Sequence, residues 1–329
     1  MTAPLLEPPG GRPLRIGSRT SLLATVQARH VAELIHEYAP GVATEIVPIR
    51  VSADVWDGDL SRIGGKGAFS KEIDRALVAG EIDVAVHCMK DVPGDVPLAE
   101  GTAFGAYLER GDVHDVVVTR DGTPLADLPP GSVVGTGSVR RRAQLGMYRP
   151  DLRTERIRGN VDSRLARLNE DGSGYAALIL ARVGLDRIGE TAQPQEVLPL
   201  EFHQADEGVV SMVPAVGAGV IGVQARQRDL AVMSLLGGLN HDQTARHILA
   251  ERSMLHELRG HCNSPIAGYA TTTADGAMSL HGMVFNRDGS ELVRFHCSGS
   301  PDDPAALGSE VAAELLRLGA RRLIDATGG

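Results

Sequence analysis

Leu14-Arg15-Ile16-Gly17-Ser18-Arg19-Thr20-Ser21-Leu22-Leu23-Ala24 passes from an apolar run, through a Gly/Ser turn, into a helical pattern. Leu14–Ile16 reads as a short strand. From Ser21 to Tyr38 the residues Leu23, Val26, Ala28, Val31, Leu34 and Ile35 recur at three- and four-residue spacing, which is the period of a helix with one buried face. A strand that feeds a helix through a tight turn is one α/β unit, and the chain repeats it. Glu45–Arg50 is apolar and β-branched, hence a strand, and Val51–Gly67 is a long polar connection containing glycines. Ala68–Val78 reads as a helix and Ile82–Cys88 as a buried strand. A second set begins near residue 112, with strands at Asp115–Thr119, Val133–Thr136 and Ala176–Ala181 and helices at Val139–Tyr148 and Asn160–Asn169. This alternation predicts α/β units on parallel or mixed sheets, with ligand sites at the carboxyl ends of strands.

The last 90 or so residues follow another pattern. Gln243–Leu258 is helical, and three strand-like runs follow, Ile266–Thr272, Ser279–Phe285 and Leu292–Cys297. Asp275-Gly276 and Asp288-Gly289 supply their turns. A final amphipathic helix is predicted over Ala305–Ala326, making a small α+β domain.

Composition narrows the function. The 329 residues carry 33 basic and 42 acidic side chains, a formal charge of −9, which argues against non-specific nucleic-acid binding. A mean hydropathy of −0.06 and no apolar run near the ~20 residues of a spanning helix argue against a membrane protein. Cys88, Cys262 and Cys297 are odd in number and far apart, which favours a reducing compartment over a disulfide framework. Met1–Pro13 reads as a loose tail and not as a signal peptide, so the cytoplasm is the expected location. Only Lys66, Lys71 and Lys90 are lysines, and the other 30 basic residues are arginine.

Several strand ends lead into turns suited to anions. Gly17–Ser21 opens the first helix, and Gly135-Thr136-Gly137-Ser138 opens another that begins with Arg140-Arg141-Arg142. Free N–H groups at a helix start attract anions, and guanidinium groups pair bidentately with carboxylate or phosphate. Arg156, Arg158, Arg164 and Arg167 form a third basic group around Arg158-Gly159-Asn160. Lys66 sits in Gly64-Gly65-Lys66-Gly67, which lacks the hydroxyl residue of a nucleotide-binding loop. His87-Cys88-Met89-Lys90-Asp91-Val92-Pro93 ends an apolar strand in charged groups, where a carboxylate can serve acid/base work or stabilise a cation. Cys262, in Gly260-His261-Cys262-Asn263-Ser264-Pro265, is a loop cysteine and a candidate nucleophile or attachment point, whereas Cys88 and Cys297 read as packing residues. His241, His247, His256 and His261 lack metal-ligand spacing, so no metal is expected. This chemistry describes either an anion-binding enzyme or a non-catalytic binder of small anions on a two-lobed α/β frame.

Taken together and in order, Gly17–Ala24, His87–Pro93, Gly135–Arg141, Arg158-Gly159-Asn160-Val161, the stretch from Leu239-Asn240-His241 to Glu251-Arg252, and Cys262 in its loop resemble the porphobilinogen deaminase (hydroxymethylbilane synthase) family. The resemblance implies two domains like periplasmic binding proteins, 12–108 with 214–236 and 109–213, each on a mixed sheet. A C-terminal α+β domain, 237–329, would add a three-stranded sheet and the cofactor attachment. It implies a transferase of tetrapyrrole biosynthesis that condenses four porphobilinogen units head to tail into hydroxymethylbilane, releasing ammonia each time. The cofactor would be dipyrromethane, tethered by a thioether to Cys262. Asp91 would be catalytic. Arg19, Ser21, Lys90, Ser138, Arg140, Arg141, Arg158, Arg164 and Arg187 would bind cofactor and substrate carboxylates, and Lys66 would fall on a mobile loop. Porphobilinogen would be the small-molecule partner of a monomer that meets neither nucleic acid nor membrane. The chain departs from the family pattern at His261, at Ala218, at Cys88 and in Asp112-Val113-His114-Asp115.

Overall fold

The computed structural model describes residues 11–52, 67, 69–200, 211–260 and 264–326. In chain order the elements are β1 (Leu14–Arg19), α1 (Leu22–Tyr38), β2 (Thr44–Ile49), α2 (Lys71–Val78), β3 (Val84–Cys88), β4 (Thr102–Tyr107), β5 (Asp115–Thr119), β6 (Val133–Gly135), α3 (Val139–Tyr148), β7 (Arg153–Glu155), α4 (Val161–Asn169), β8 (Ala177–Ala181), α5 (Arg182–Ile188) and β9 (Gln195–Val197). There follow β10 (Ile221–Arg226), α6 (Leu230–Gly237), α7 (Asp242–Glu257), β11 (Ile266–Thr272), β12 (Met278–Phe285), β13 (Leu292–Gly299), α8 (Pro304–Arg317) and α9 (Ala320–Asp325). The chain divides into two compact units, Met1–Gly111 with Gly219–Ala245 and Asp112–Ala218 with Arg246–Gly329.

The first unit holds a five-stranded sheet in the order β2-β1-β3-β10-β4. β1 runs parallel to β2 and β3, and β10 runs antiparallel to β3 and β4. Successive side chains of β3 point to opposite faces, so each face gains its own core. Val84 and Val86 join Ile16, Ala28, Val31, Ile35, Val223 and Val232 under α1 and α6. Ala85 joins Ile73, Leu77 and Ile82 under α2. Central strands buried on both faces explain why β3 reads as a continuous apolar run in the sequence.

The second unit repeats the plan. Its order β7-β6-β8-β5-β9 has parallel β6–β7 and β6–β8 pairs and antiparallel β5–β8 and β5–β9 pairs. Alternation again splits the core, with Val117 and Ile179 packing with Leu145 of α3. Val116, Val118, Leu178 and Leu180 pack with Leu165 and Leu168 of α4 and Leu185 of α5. The same unit contains the antiparallel sheet β11-β12-β13, covered by Met254 of α7 and by Val311 and Leu315 of α8. The observed architecture is thus the expected one of two mixed α/β sheets and a small three-stranded α+β part.

The single helix expected over Ala305–Ala326 is instead two, α8 and α9. Gly319 between them has φ 99°, a left-handed conformation that an L side chain resists, and it ends one helix before the next begins. Short strands β4, β7 and β9, the wholly buried β10, and helices α5 and α6 carry little periodicity and escape a sequence reading.

A buried carboxylate ties α7 to its neighbours. Glu251 is 0% exposed, and its two oxygens accept the N–H groups of Gly217 (2.8 Å) and Ala270 (2.9 Å). Removing the acceptor strands two amides that water cannot reach. Glu251→Leu should therefore lower the urea-unfolding free energy by roughly 2–4 kcal/mol, and Glu251→Gln, which keeps one acceptor, by less. Equal stability of Glu251→Leu and wild type would remove this bridge from the account.

Candidate active site

In the first unit the site grows from the ends of β1 and β3. β1 ends at Arg19, and Ser21 caps α1 by accepting the Ala24 N–H (3.3 Å). The buried Ser18 hydroxyl donates to the Ala24 carbonyl (2.9 Å), which fixes the turn between strand and helix. β3 pairs with β1 and β10, and the Met89 N–H still donates to the Val220 carbonyl (3.0 Å) before the chain coils into the single helical turn Met89–Asp91. Met89 is buried, so the turn faces Lys90 and Asp91 away from the core. Arg19 Nη1 lies 3.6 Å from Asp91 Oδ2, and the guanidinium stacks over the Phe69 ring at 4.6 Å. Arg19, Ser21, Gln27, Phe69, Cys88, Lys90 and Asp91 line one pocket. It offers two cations and a carboxylate over an aromatic floor, a combination that can hold a carboxylate-bearing ring and face a developing positive charge.

Cys88, expected as a packing residue, lines this pocket and takes a 3.6 Å contact from Gln27 Nε2. Cys297 packs against the core of the small sheet, where burial and the nearby Glu310 carboxylate raise its thiol to about 11. Phe69 escaped the sequence reading, although an aromatic just before α2 in a chain with 3% aromatics was the available signal.

In the second unit Ser138 caps α3 by accepting the Arg141 N–H (3.3 Å). Arg140 and Arg141 both point inward. Their Nη2 atoms donate to the two oxygens of Asp115 at 2.6 Å each, and their Nη1 atoms donate to the Val213 carbonyl (2.6 Å) and the Ile179 carbonyl (2.9 Å). Asp115 is 2% exposed. Burial pushes its carboxyl upward, but the two guanidinium charges and their hydrogen bonds outweigh this and hold it at about 2. Arg158 is half-buried, and its Nε and Nη2 are shielded from solvent with no hydrogen-bond partner among the described residues. Arg164, one turn into α4, donates from Nε to the Gly159 carbonyl (2.8 Å), and Arg187 lies half-buried on α5. The structure therefore brings Arg19, Ser21, Lys90 and Asp91 together in one unit, and Arg140 with Arg141 in the other. Cys262 and Lys66 lie outside the described residues, as do His261 and Asn263.

The first unit thus sets a carboxylate at the end of a buried strand, beside cations that suit carboxylates. Residues 14–234 match the family model for the porphobilinogen deaminase dipyromethane cofactor binding domain, and residues 245–317 match its C-terminal domain. Porphobilinogen deaminase 2 of Streptomyces coelicolor is 48% identical over 95% of this chain and 96% of its own length. The porphobilinogen deaminases of Syntrophobacter fumaroxidans and Moorella thermoacetica are 42% and 43% identical over the same share of this chain and 97% and 96% of theirs. An arginine-specific periplasmic binding protein of Salmonella typhimurium overlays 69% of the chain and 91% of its own at a TM-score of 0.39 and 14% identity. This chain belongs to the porphobilinogen deaminase family.

Because its folded value lies below that of an unfolded carboxyl, Asp115 contributes stability above about pH 4 and loses that contribution as pH falls toward 2. Asp115→Asn leaves two buried guanidinium groups uncompensated and should cost roughly 3–5 kcal/mol at neutral pH. Unfolding of both proteins across pH 2–7 checks this. The gap should close on the acid side, and a gap that is constant with pH would contradict the assignment.

Proposed function

We propose that the chain is a hydroxymethylbilane synthase in which Asp91 is the catalytic carboxylate, Cys262 carries the dipyrromethane, and Arg19, Ser21, Lys90, Ser138, Arg158, Arg164 and Arg187 receive the carboxylates of cofactor and substrate. The observation that carries the reading is the pocket lined by Arg19, Lys90 and Asp91, within a chain that matches the family models over residues 14–234 and 245–317. In the second unit the shielded Nε and Nη2 of Arg158, with no hydrogen-bond partner among the described residues, suit a ligand that brings its own carboxylates, as dipyrromethane does. When bound, the dipyrromethane supplies the nucleophilic pyrrole carbon to which the first substrate unit is joined.

The protein's own groups do the rest. Each porphobilinogen loses its amino group as ammonia, the C–N bond breaking with its electrons on nitrogen, and the pyrrole left behind carries positive charge shared with its ring nitrogen. Asp91 faces that charge and hydrogen-bonds the ring N–H, a preorganised negative group where charge develops. It then stands ready for the proton lost from the ring carbon that forms the new C–C bond. Arg19, 3.6 Å from Asp91, orients the carboxylate and binds a side-chain acid, and Lys90 adds a second positive anchor. Arg140 and Arg141 act through Asp115. Their inward bonds fix the start of α3 and so the place of the Ser138 cap. The domain division follows the family, 12–108 with 214–236, 109–213 and 237–329, and the enzyme works as a monomer in the cytoplasm, consistent with the free thiols of Cys88 and Cys297.

Two variants separate chemistry from architecture. Asp91→Asn keeps size and some hydrogen bonding but removes the charge, so it should fold, keep its cofactor and lose ~10²–10⁴-fold or more in turnover of porphobilinogen. Near-normal turnover would make Asp91 a structural partner of Arg19 and nothing more. Arg158→Leu breaks no hydrogen bond of the described residues, so thermal stability of the cofactor-free protein should hold within about 1 kcal/mol while turnover falls. Arg140→Leu should fail in both, because it also strips Asp115 of a partner. Loss of stability in Arg158→Leu as large as in Arg140→Leu would contradict the distinction.

A further inference from the structure

On the face of the first sheet that α2 covers, Ala85 of β3 packs with Ile73 and Leu77. Next to this core the same face turns polar, because β3 presents His87 and β10 presents Gln224, which are 6% and 1% exposed. The Gln224 amide donates to the Thr102 hydroxyl (2.7 Å), and His87 meets the Phe104 ring edge-on at 5.9 Å, so both side chains are held in place. Between α2 and the segment Val92–Ala99 these two residues line a cleft of about 560 Å³. That is the size of a small-molecule site, and a few fixed polar groups within apolar walls are its usual composition.

The walls differ in character. Val92, Val96, Pro97 and Leu98 make one of them apolar. The other is a face of α2, where Lys71, Asp74, Arg75 and Val78 recur at helical spacing. Lys71 and Arg75 are exposed and one turn apart, so two cations stand at the rim. Glu72 is turned aside, accepting the Ser52 N–H (3.3 Å) and the Ser52 hydroxyl. Asp74 is therefore the one carboxylate among the described lining residues, set against two cations. An apolar cleft with a net positive rim complements a molecule that has an apolar body and one acidic group.

We propose that this cleft is a second ligand site, for a small apolar monoanion, and that its occupant acts on the neighbouring pocket. Ser70, His87 and Val92 line both cavities. The turn Met89–Asp91 lies between His87 and Val92, so a molecule in the cleft touches the residues on either side of Lys90 and Asp91. Its effect on turnover rests on the function proposed above, whereas its binding does not.

Anilinonaphthalene sulfonate, an apolar monoanion whose emission rises in apolar surroundings, serves as the probe in fluorescence titrations of the cofactor-bearing protein. Wild type should bind it saturably. The double variant Lys71→Glu, Arg75→Glu should weaken binding about tenfold or more, and so should Leu98→Asp, which places a charge on the apolar wall. Lys71 and Arg75 are exposed, so the double variant tests the site without threatening the fold. Asp74→Asn should bind at least as tightly as wild type, and Arg19→Gln, in the neighbouring pocket, should bind with unchanged affinity. No saturable binding by wild type, wild-type affinity in the double variant, or loss of binding in Arg19→Gln overturns the site. Saturating probe should shift the KM for porphobilinogen about fivefold or more in wild type and leave that of the double variant unmoved. An unmoved KM in the occupied wild type overturns the action on the neighbouring pocket. Binding is read without turnover, so its failure is distinct from a failure of the function proposed above.

Discussion

Asp115 sits under α3 with one oxygen on Arg140 and the other on Arg141, and each guanidinium spends its remaining reach on a backbone carbonyl. The clasp joins the first strand of the second unit, the start of α3, the middle of β8 and the segment at Val213. A buried ion pair of this kind adds little net stability compared with apolar packing, but it tolerates only one geometry, because losing either partner leaves a buried charge. Ser138 therefore caps α3 at a defined place. Arg142, one residue further along, is turned away from this clasp and stays half-buried.

The first unit applies the same economy. Asp83, 1% exposed, is held by Arg12, Arg15 and Arg226, and despite burial their hydrogen bonds and charges keep its carboxyl well below the usual range. That knot lies at the start of β3, and Asp91 lies just beyond its other end. One carboxylate on this strand serves architecture. The other lines a pocket, 3.6 Å from Arg19, whose guanidinium rests on Phe69. A net charge of −9 is compatible with anion chemistry, since the charge of a pocket is set by its own lining, here Arg19 and Lys90 beside Asp91.

Much of this was legible in the sequence, for physical reasons that differ by element. β5 and α3 were read with the boundaries observed, because an apolar run closed by polar residues and a Ser cap before an amphipathic stretch are local signals. Asp91 and Lys90 stood out because charge at the end of an apolar strand is unusual. The opposite fates of Arg140 and Arg158 were not legible. Both are arginines beside a Gly-containing turn, and only the tertiary position of Asp115 decides which one is consumed. Asp115 itself read as part of an ordinary strand. The helix break at Gly319 was missed because glycine within an amphipathic pattern does not reveal its φ, and Phe69 because a lone aromatic has no periodicity.

The central claim is that the arginines and the carboxylate left over from folding serve a covalently held, carboxylate-bearing cofactor in a member of the porphobilinogen deaminase family. The most direct test is the intact mass of the purified wild-type protein beside Cys262→Ala. The account predicts an excess equal to two pyrrole units in wild type and the bare polypeptide mass in the variant. A bare mass in wild type, or an adduct that survives in Cys262→Ala, would contradict it.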